Sequence, residues 1–595
     1  MIPAGGGGPP GPAIVWRSSV TWLVLGLLMA LSAALIWSWS THDTIRGDEW
    51  GYANRVSVLP AEEYLLNPPP RKHLIAIPLL LYKAAFEGFG ISSYVPYRLA
   101  HIALLLLCAG LFYALVRRRV GNALAVLPTA ILLFLGSSVV VAIPLLIPSL
   151  IAITAGLAML LALERRDLKG DVAAFFLLAL SLASHSTSYA FAAAAAVLVL
   201  CRPAPQRWRR SWVFALPIFA YATWWVLEFD SPASRSLGSA IAGAPAFIGK
   251  SLVVTLRATS GFGAHWSYLG LAMPESGQVV LAAALLALLG AVLVARVRRA
   301  RAISPFALAI TAALGTFWIA TALAPGLERS PEVSRYLYPD ALLFLLLLCE
   351  LGRDFELPRR LTMQAAFAIL ALFAVSIAGN LYQLRTSKRQ LDNASDRQRA
   401  GLTSLALAGS AVPPQFNLAT ALAGQFPWAN ESEGLPAPAL RRVLDDYGSP
   451  AYSPAELSSR PQPVRITADY VLLRATGTQL RPTGSLPASN NPAPRGLSAF
   501  GGRWTTASHG CIELRPSDAA AVGVLSLPAG RMALAANAGP PVVVRAGLFA
   551  DGAAIPIGSL QGGGRAALDL PATDGALEHW RVAVQARQRV LACSA

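Results

Sequence analysis

Charged residues are scarce in this sequence. They make up 14% of its 595 residues, against about 25% in an ordinary soluble domain. Hydrophobic residues reach 55%, and the mean hydropathy is +0.51. This shortage of charge excludes a soluble enzyme, a coiled coil and a disordered chain, and five cysteines in so long a chain exclude a disulfide-dense scaffold. What remains is a polytopic membrane protein with a soluble portion.

Several signatures of cofactor binding and catalysis are also missing. The sequence has no His-x-x-x-His or Cys-x-x-Cys spacing, no P-loop, and no Gly-x-Gly-x-x-Gly motif between a strand and a helix. No spacing supports a Ser-His-Asp triad. No basic stripe is interleaved with aromatic residues, so the net charge of +17 does not indicate nucleic acid as a partner.

The apolar residues are gathered into runs long enough to consider as membrane helices, which need about 20 mostly apolar residues each. Two short runs flank a polar stretch that includes His185. The sequence thus predicts a mainly α-helical bundle at 19–384, a transmembrane domain of about eleven helices. The candidate runs lie near 19–38, 97–116, 122–141, 145–163, 172–184, 187–201, 211–227, 277–295, 304–324, 336–351 and 361–380.

Basic clusters orient this bundle. They lie near 117–119, 165–169, 207–210, 296–301 and 359–360, and the positive-inside rule puts such loops in the cytoplasm. Successive spans cross the membrane in alternating directions. All five basic clusters then fall on the cytoplasmic side only if 172–201 crosses the membrane twice. We therefore expect a multi-pass protein of the plasma (inner) membrane with a disordered cytoplasmic N-terminus at 1–18. The external loops would be 39–96, 142–144, 228–276 and 325–335, followed by an external C-terminal domain.

The tail from Arg385 has a different composition. Its net charge is +6, which leaves +11 of the total for the membrane part. Helical patterns near 391–425 and 437–447 indicate a helical and linker region at 385–495. Short β-like runs then predict a β-sandwich at 496–595, so the external domain is α+β. The runs are Gly523–Leu527, Met532–Ala536, Pro541–Leu548, Ala566–Leu570, Trp580–Val584 and Arg589–Ala592.

Cys511 and Cys593 are the only cysteines of the tail. An oxidising compartment permits a disulfide between them; the alternative is two buried thiols. The bridge would close a loop of about 80 residues, which contributes about 4 kcal/mol in the loop-entropy treatment. Trp504 and Trp580 suit either stacking on a sugar or the core of the small sandwich.

The first external loop begins with acidic residues. Asp48 and Glu49 follow the first predicted helix by about ten residues, and Asp43 precedes them. A general base that accepts a hydroxyl proton requires a carboxylate held at the site of reaction. The pair therefore indicates either a catalytic base or a solvated acidic loop.

Several cations lie on the same predicted external side, where the positive-inside rule disfavours them. Arg71, Lys72 and His73 follow three prolines, and Arg335 precedes Tyr336 at the start of a predicted helix. Such cations suit either anionic lipid headgroups or a bound phosphate, and Tyr336 also suits the interfacial aromatic belt. Further candidates of the same kind are Arg98 and His185.

Together these motifs resemble the GT-C glycosyltransferases, which include protein mannosyltransferases, the aminoarabinose transferase of lipid A and the oligosaccharyltransferases. Gly47 to Tyr52 looks like the first-loop Asp-Glu motif of that family. Asn67 to Pro70 resembles its His-Pro-Pro or Lys-Pro-Pro element, and Ser334-Arg335-Tyr336 resembles its late Arg-Tyr motif. The resemblance covers roughly 15–380.

The resemblance implies a polyprenyl-phosphate-linked sugar donor and an active site on the external face. Asp48 would be the general base and Glu49 its neighbour or alternate. Arg71, Lys72, His73 and Arg335 would stabilise the departing lipid phosphate, with Tyr336 beside them. The acceptor would be an envelope glycan, a glycolipid or a protein, among membrane lipids.

Two departures from the family pattern keep other functions open. The segment 137–149 contains no acidic residue, and the proline element lacks its usual His or Lys. No cofactor is certain, although the oligosaccharyltransferase branch leaves room for a divalent cation, Mg²⁺ or Mn²⁺. The alternatives are a non-catalytic assembly or receptor protein with a glycan-binding external domain, and a lipid or glycan transporter.

Overall fold

The structure is a computed structural model. It describes residues 18–39, 41–66, 73–228, 237–261, 303–323, 330–353, 362–423, 434–486, 493–508, 510–517, 521–572 and 579–594, with six isolated positions between 284 and 298. Within these ranges the chain is mainly helical and ends in a β-sheet domain, as predicted.

The α-helices follow one another with short connections. They are α1 Ser18–Trp39, α2 Asp48–Val58, α3 Ala61–Leu66, α4 Ala76–Phe89, α5 Val95–Val120, α6 Asn122–Leu133, α7 Ile147–Leu163, α8 Leu168–Leu182, α9 Ser188–Leu200, α10 Ala204–Arg210, α11 Trp212–Glu228, α12 Leu237–Ser260, α13 Pro305–Leu323, α14 Ser334–Leu351, α15 Thr362–Ala408, α16 Leu418–Ala423, α17 Ala437–Tyr447, α18 Pro454–Ser458 and α19 Gln462–Ala475.

Six helical segments of the described chain are long and apolar enough to cross a membrane. They are Ser19–Trp39, Val95–Val120, Pro144–Leu163, Gly238–Ser260, Pro305–Leu323 and Ala366–Ala411. Shorter apolar helices occupy Asn122–Leu133 and Ser188–Leu200. The apolar character predicted from composition is therefore present, whereas the predicted count of about eleven spans is not confirmed. The predicted run at 277–295 lies outside the described residues except for isolated positions.

One predicted external loop contains a long helix. The segment 228–276 includes α12, a helix of 24 residues that qualifies as a span by length and composition. Its Gly, Ala, Ser and Thr residues lower the hydropathy that marks a span. The same small residues allow close approach to neighbouring helices, and α12 packs against α13 and α14.

The chain forms two compact units. The first contains 1–41, 59–85 and 95–390, and the second contains 42–58, 86–94 and 391–595. The beginning of the first loop, with Asp43, Asp48 and Glu49, therefore belongs to the same unit as the tail. The boundary at 390–391 falls within α15.

The helical unit is organised around α7. In its apolar window 78% of the residues are buried, against 22% for α1, and α7 packs against α5, α8 and α9. A helix that is apolar on all sides belongs in an interior. By contrast α1 leaves Leu23 and Leu27 exposed.

An ionic cluster joins the ends of three helices in this unit. The guanidinium of Arg119 lies 2.5 Å from Glu164 and 2.9 Å from Glu350, and Ser304 donates to Glu350 at 2.7 Å. Arg119 and Glu350 are buried. Buried charges require such pairing, so part of the basic cluster at 117–119 has a structural role besides any effect on orientation.

The C-terminal domain consists of two antiparallel sheets. Their strands are β1 Arg481–Pro482, β2 Arg495–Phe500, β3 Gly502–Thr506, β4 Cys511–Pro516, β5 Ala521–Leu527, β6 Gly530–Ala536, β7 Val542–Gly547, β8 Ile555–Leu560, β9 Arg565–Leu570, β10 Trp580–Ala586 and β11 Val590–Ser594. The first sheet has strand order β1-β9-β6-β11-β4-β3 and the second β2-β5-β10-β7-β8. Leu514 and Trp504 of the first sheet approach Gly523 of the second so closely that a side chain at Gly523 would collide with them.

Candidate functional site

The Asp-Glu pair of the first loop stands at the start of α2. Gly47 adopts a positive φ of 53°, a conformation that costs glycine little, and α2 begins at the next residue. Both carboxylates thus fall in the first turn, where the helix dipole stabilises negative charge. Asp48 is half-buried, whereas Glu49 is completely buried. The two neighbouring carboxylates therefore occupy different environments.

Glu49 is held by two donors of the same unit. The hydroxyl of Tyr94 lies 2.7 Å from each of its carboxylate oxygens, and the backbone N–H of Arg46 donates to Oε2 at 3.0 Å. Tyr94 is buried as well, and this burial, together with the charge of Glu49, raises the pKa of Tyr94 well above its usual value. Glu49 consequently fixes the turn from which Asp48 extends.

Asp43 also faces inward. Its Oδ1 accepts from Nη2 of Arg46 at 3.0 Å, and the same nitrogen donates to Oγ of Ser395 at 2.7 Å. Asp43 and Arg46 are 6% and 7% exposed. An ion pair this deeply buried is strongly destabilised when one partner is removed, so Asp43 connects the loop to the start of the tail.

A second polar group of this unit was not found by sequence reasoning. Nδ1 of His42 lies 3.0 Å from Oδ1 of Asp396, to which the hydroxyl of Tyr452 donates at 2.6 Å. The guanidinium groups of Arg399 and Arg460 stand 4.1 and 4.2 Å from the ring centre of Tyr452. These residues are separated by up to about 400 positions in the sequence, and no local pattern relates them.

In the helical unit, two of the predicted site residues lie together. The rings of His73 and His185 have centroids 5.1 Å apart. His185 lies in the turn between α8 and α9, where its Nδ1 accepts from the backbone N–H of Thr187 at 3.2 Å. Arg71 and Lys72, predicted beside His73, lie outside the described residues.

Arg335 and Tyr336 occupy the first turn of α14. Arg335 is exposed, and its guanidinium carbon lies 5.4 Å from the ring centre of Tyr336. Ser334 positions this turn, since its Oγ donates to the carbonyl of Ser137 at 2.6 Å and accepts from the N–H of Val139 at 2.7 Å. An exposed cation is thereby held at a helix N-terminus, where backbone amides also favour an anion.

Arg98 differs from Arg335 in its surroundings. It is 5% exposed, and its guanidinium carbon lies 5.2 Å from the ring centre of Trp37 on α1. A cation stacked on an aromatic ring can stabilise the packing of two helices. Its burial favours this packing role for Arg98 over a role as an external phosphate ligand.

The β domain contains a disulfide between Cys511 and Cys593, which pair across β4 and β11. Trp580 is 1% exposed, and its Nε1 donates to the carbonyl of Pro571 at 3.1 Å. Trp504 is half-buried and donates to the carbonyl of Ser498 at 2.9 Å. The geometry of Trp580 suits the core interpretation rather than stacking on a sugar.

Among the residues that the structure describes, no group of three or more His, Cys, Asp or Glu side chains is suited to hold a metal ion. The carboxylates of Asp48 and Glu49 belong to the unit that contains the tail, and His73, His185, Arg335 and Tyr336 belong to the helical unit. No protein-family model matches this chain, and no curated protein and no solved structure matches it either.

Proposed function

We propose that this chain is an integral membrane glycosyltransferase that moves a sugar from a polyprenyl-phosphate donor to a glycan, glycolipid or protein acceptor. The observation that carries the proposal is the difference in exposure between the two neighbouring carboxylates. Glu49 is completely buried against Tyr94 and the N–H of Arg46, while Asp48 is half-buried in the first turn of α2. Asp48 is therefore the base we assign.

The mechanism follows from this assignment. The carboxylate of Asp48 accepts the proton of an acceptor hydroxyl as its oxygen attacks the anomeric carbon of the donor, and the lipid phosphate leaves with the electron pair of the broken bond. Glu49 acts through the turn, because its contacts with Tyr94 and Arg46 hold the backbone that carries Asp48. Glu49 is a positioning residue in this proposal.

The departing phosphate requires positive charge, and the resemblance to the GT-C family proposes Arg71, Lys72, His73 and Arg335 for this role. Arg335 is exposed at the start of α14, and the His73–His185 pair adds two imidazoles. Arg71 and Lys72 precede His73 in the sequence. Stabilisation of the charge that develops on the leaving group is usually the largest single contribution to such catalysis. The proposal includes an active site on the external face, a cytoplasmic N-terminus and an external C-terminal domain.

The test uses membranes that contain the full chain and a series of labelled polyprenyl-phosphate sugars, with transfer measured into lipid, protein and polysaccharide fractions. Asp48→Asn should lower transfer by about 10²–10⁴-fold, the usual contribution of a general base. Glu63→Gln is the matched control, since Glu63 is an exposed carboxylate of the same loop. Unchanged transfer by Asp48→Asn would refute the base assignment. No transfer by the wild-type chain from any donor would refute the function.

A transporter is the second candidate, and one observation favours it. Asp340 lies within α14, which coincides with the apolar run predicted at 336–351; it is 2% exposed and accepts from Nε1 of Trp318 at 2.7 Å. Buried ionisable residues within membrane helices often mark transport pathways. Lipid or glycan flux in proteoliposomes that is lost in Asp340→Asn, without transferase activity in the wild type, would favour this function instead.

A further inference from the structure

The tail of the chain exposes very little large hydrophobic surface. Among the described residues from 391 onward, the large hydrophobic side chains classed as exposed are Leu497 at 50% and Phe500 at 83%. Both lie on β2, a strand of six residues. In the helical unit, exposed apolar side chains are spread over several long apolar helices, where lipid accounts for them. No such explanation applies to β2, because it belongs to a sheet.

The two exposed side chains lie at the edge of a sheet. β2 is the edge strand of the five-stranded sheet and is followed at once by β3, the edge strand of the other sheet. The pairing of β2 with β5 is irregular between Gly496 and Ser498, at Leu497. Edge strands of soluble domains are normally protected by charge, bulges or short length. The bulge and Arg495 protect β2 against pairing with another strand, but they leave the side chains of Leu497 and Phe500 uncovered.

The interior of the domain does not need these two side chains. Trp504 packs beneath β2, so that a side chain at Gly496 or at Gly523 would collide with its ring. The indole also donates to the carbonyl of Ser498. Since Trp504 already fills the space under the edge, Leu497 and Phe500 remain at the surface and do not complete a core.

Positive charge accompanies the apolar pair. Arg495 begins β2 and Arg503 lies on β3, and both are exposed. At the register positions opposite them stand Ser526 and Arg515, so neither faces a carboxylate across its strand pair. By contrast, Arg531 on β6 has Asp569 opposite it, 3.7 Å away. Exposed apolar side chains flanked by arginines are the combination that binds at the surface of an anionic bilayer.

We propose that the edge formed by β2 and the start of β3 is a lipid-binding edge, which inserts Leu497 and Phe500 into the interface of a bilayer and places Arg495 and Arg503 among anionic headgroups. The apolar helices of the same chain keep a bilayer at high effective concentration. Interfacial side chains of this kind enter about 5–10 Å into the boundary between headgroups and acyl chains. The proposal does not depend on the glycosyltransferase activity.

The test places a fluorophore beside the edge in the full chain. Ser498→Cys on β2 and Ser559→Cys on β8, the opposite edge of the same sheet, are each labelled with an environment-sensitive dye, in a background with Cys201→Ser because Cys201 is an exposed thiol. The proteins are reconstituted in nanodiscs of phosphatidylglycerol and phosphatidylcholine that contain a lipid-borne quencher. We expect a blue-shifted emission and several-fold stronger quenching at 498 than at 559.

Two variants identify the cause of the quenching. Leu497→Ser with Phe500→Ser should lower quenching at 498 to the level at 559, and it should leave folding unchanged because both side chains are exposed. Arg495→Gln with Arg503→Gln should also lower the quenching at position 498, but only when phosphatidylglycerol is present. Equal quenching at the two positions in the unsubstituted chain would overturn the proposal. The proposal would also be overturned if an added polysaccharide, but not lipid, shielded the dye at position 498.

Discussion

The hydroxyl of Tyr94 lies 2.7 Å from each of the two carboxylate oxygens of Glu49, and both side chains are buried. A single O–H donor cannot satisfy both oxygens at once, so the bond is shared between them, while Oε2 also accepts from the N–H of Arg46. This arrangement assigns Glu49 to the support of the turn. Its neighbour Asp48 is half-buried in the first turn of α2, and it is the carboxylate to which the proposed function gives the role of base.

Tyr94→Phe should destabilise the unit that contains the tail by about 1–3 kcal/mol, because the buried carboxylate of Glu49 loses a side-chain donor. The measurement is the midpoint of thermal unfolding in detergent. Tyr470→Phe is the matched control, since Tyr470 is half-buried and its hydroxyl contacts Arg474 in the same helix. Equal effects of the two substitutions would contradict the role assigned to Tyr94.

The contact between Tyr94 and Glu49 should also make the stability of the fold depend on alkaline pH. The pKa of Tyr94 is raised in the folded chain by burial and by Glu49, whereas in the unfolded chain it is about 10. The folded state therefore retains a proton that the unfolded state releases, so stability is unaffected by this group below about pH 10 and falls as the pH rises further. The wild type should lose stability above this pH more steeply than Tyr94→Phe. Parallel curves for the two proteins would contradict this expectation.

Asp469→Ala should cost at least about 3 kcal/mol. Asp469 is completely buried on α19 and accepts from the backbone N–H groups of Leu548, Phe549 and Ala550 at 2.9, 2.9 and 3.0 Å. Each donor left without an acceptor is penalised by about 1–3 kcal/mol.

The effect of Asp469→Ala would be measured by protection of the β domain from proteolysis and by thermal unfolding. Asp569→Ala is the control, because Asp569 is exposed on β9 and its ion pair with Arg531 is long, at 3.7 Å. Such a surface substitution should change stability by no more than about 0.5 kcal/mol. If Asp569→Ala lost as much protection as Asp469→Ala, the specific role of Asp469 would be contradicted.

Replacement of Cys511 and Cys593 by alanine should lower the stability of the β domain by about 4 kcal/mol, because the bridge between residues 82 positions apart restricts the unfolded chain. The bridge itself is tested by the difference in gel mobility with and without a reductant. Cys201→Ala, at an exposed free thiol, should change neither mobility nor stability. Retention of the full stability by the double variant would contradict this prediction.

Local sequence patterns predicted elements in which buried and exposed residues recur regularly along the chain. The helix predicted at 437–447 spans the same residues in the structure, and each of the six predicted β-like runs overlaps a strand. The strands β1, β2, β3, β4 and β8 and the helices α18 and α19 were missed. β2 carries mostly exposed residues, so it has none of the alternation by which a strand is detected in a sequence.

The sequence by itself determined that the chain is apolar, that its helices are long enough to cross a membrane, and that a carboxylate pair follows the first of them. Only the tertiary structure decided which carboxylate is buried. The residues that decide it, Tyr94 and Ser395, stand 45 and 349 positions from the Glu49 and Arg46 side chains that they contact. Burial and hydrogen bonding depend on such distant partners, and no local pattern of residues encodes them.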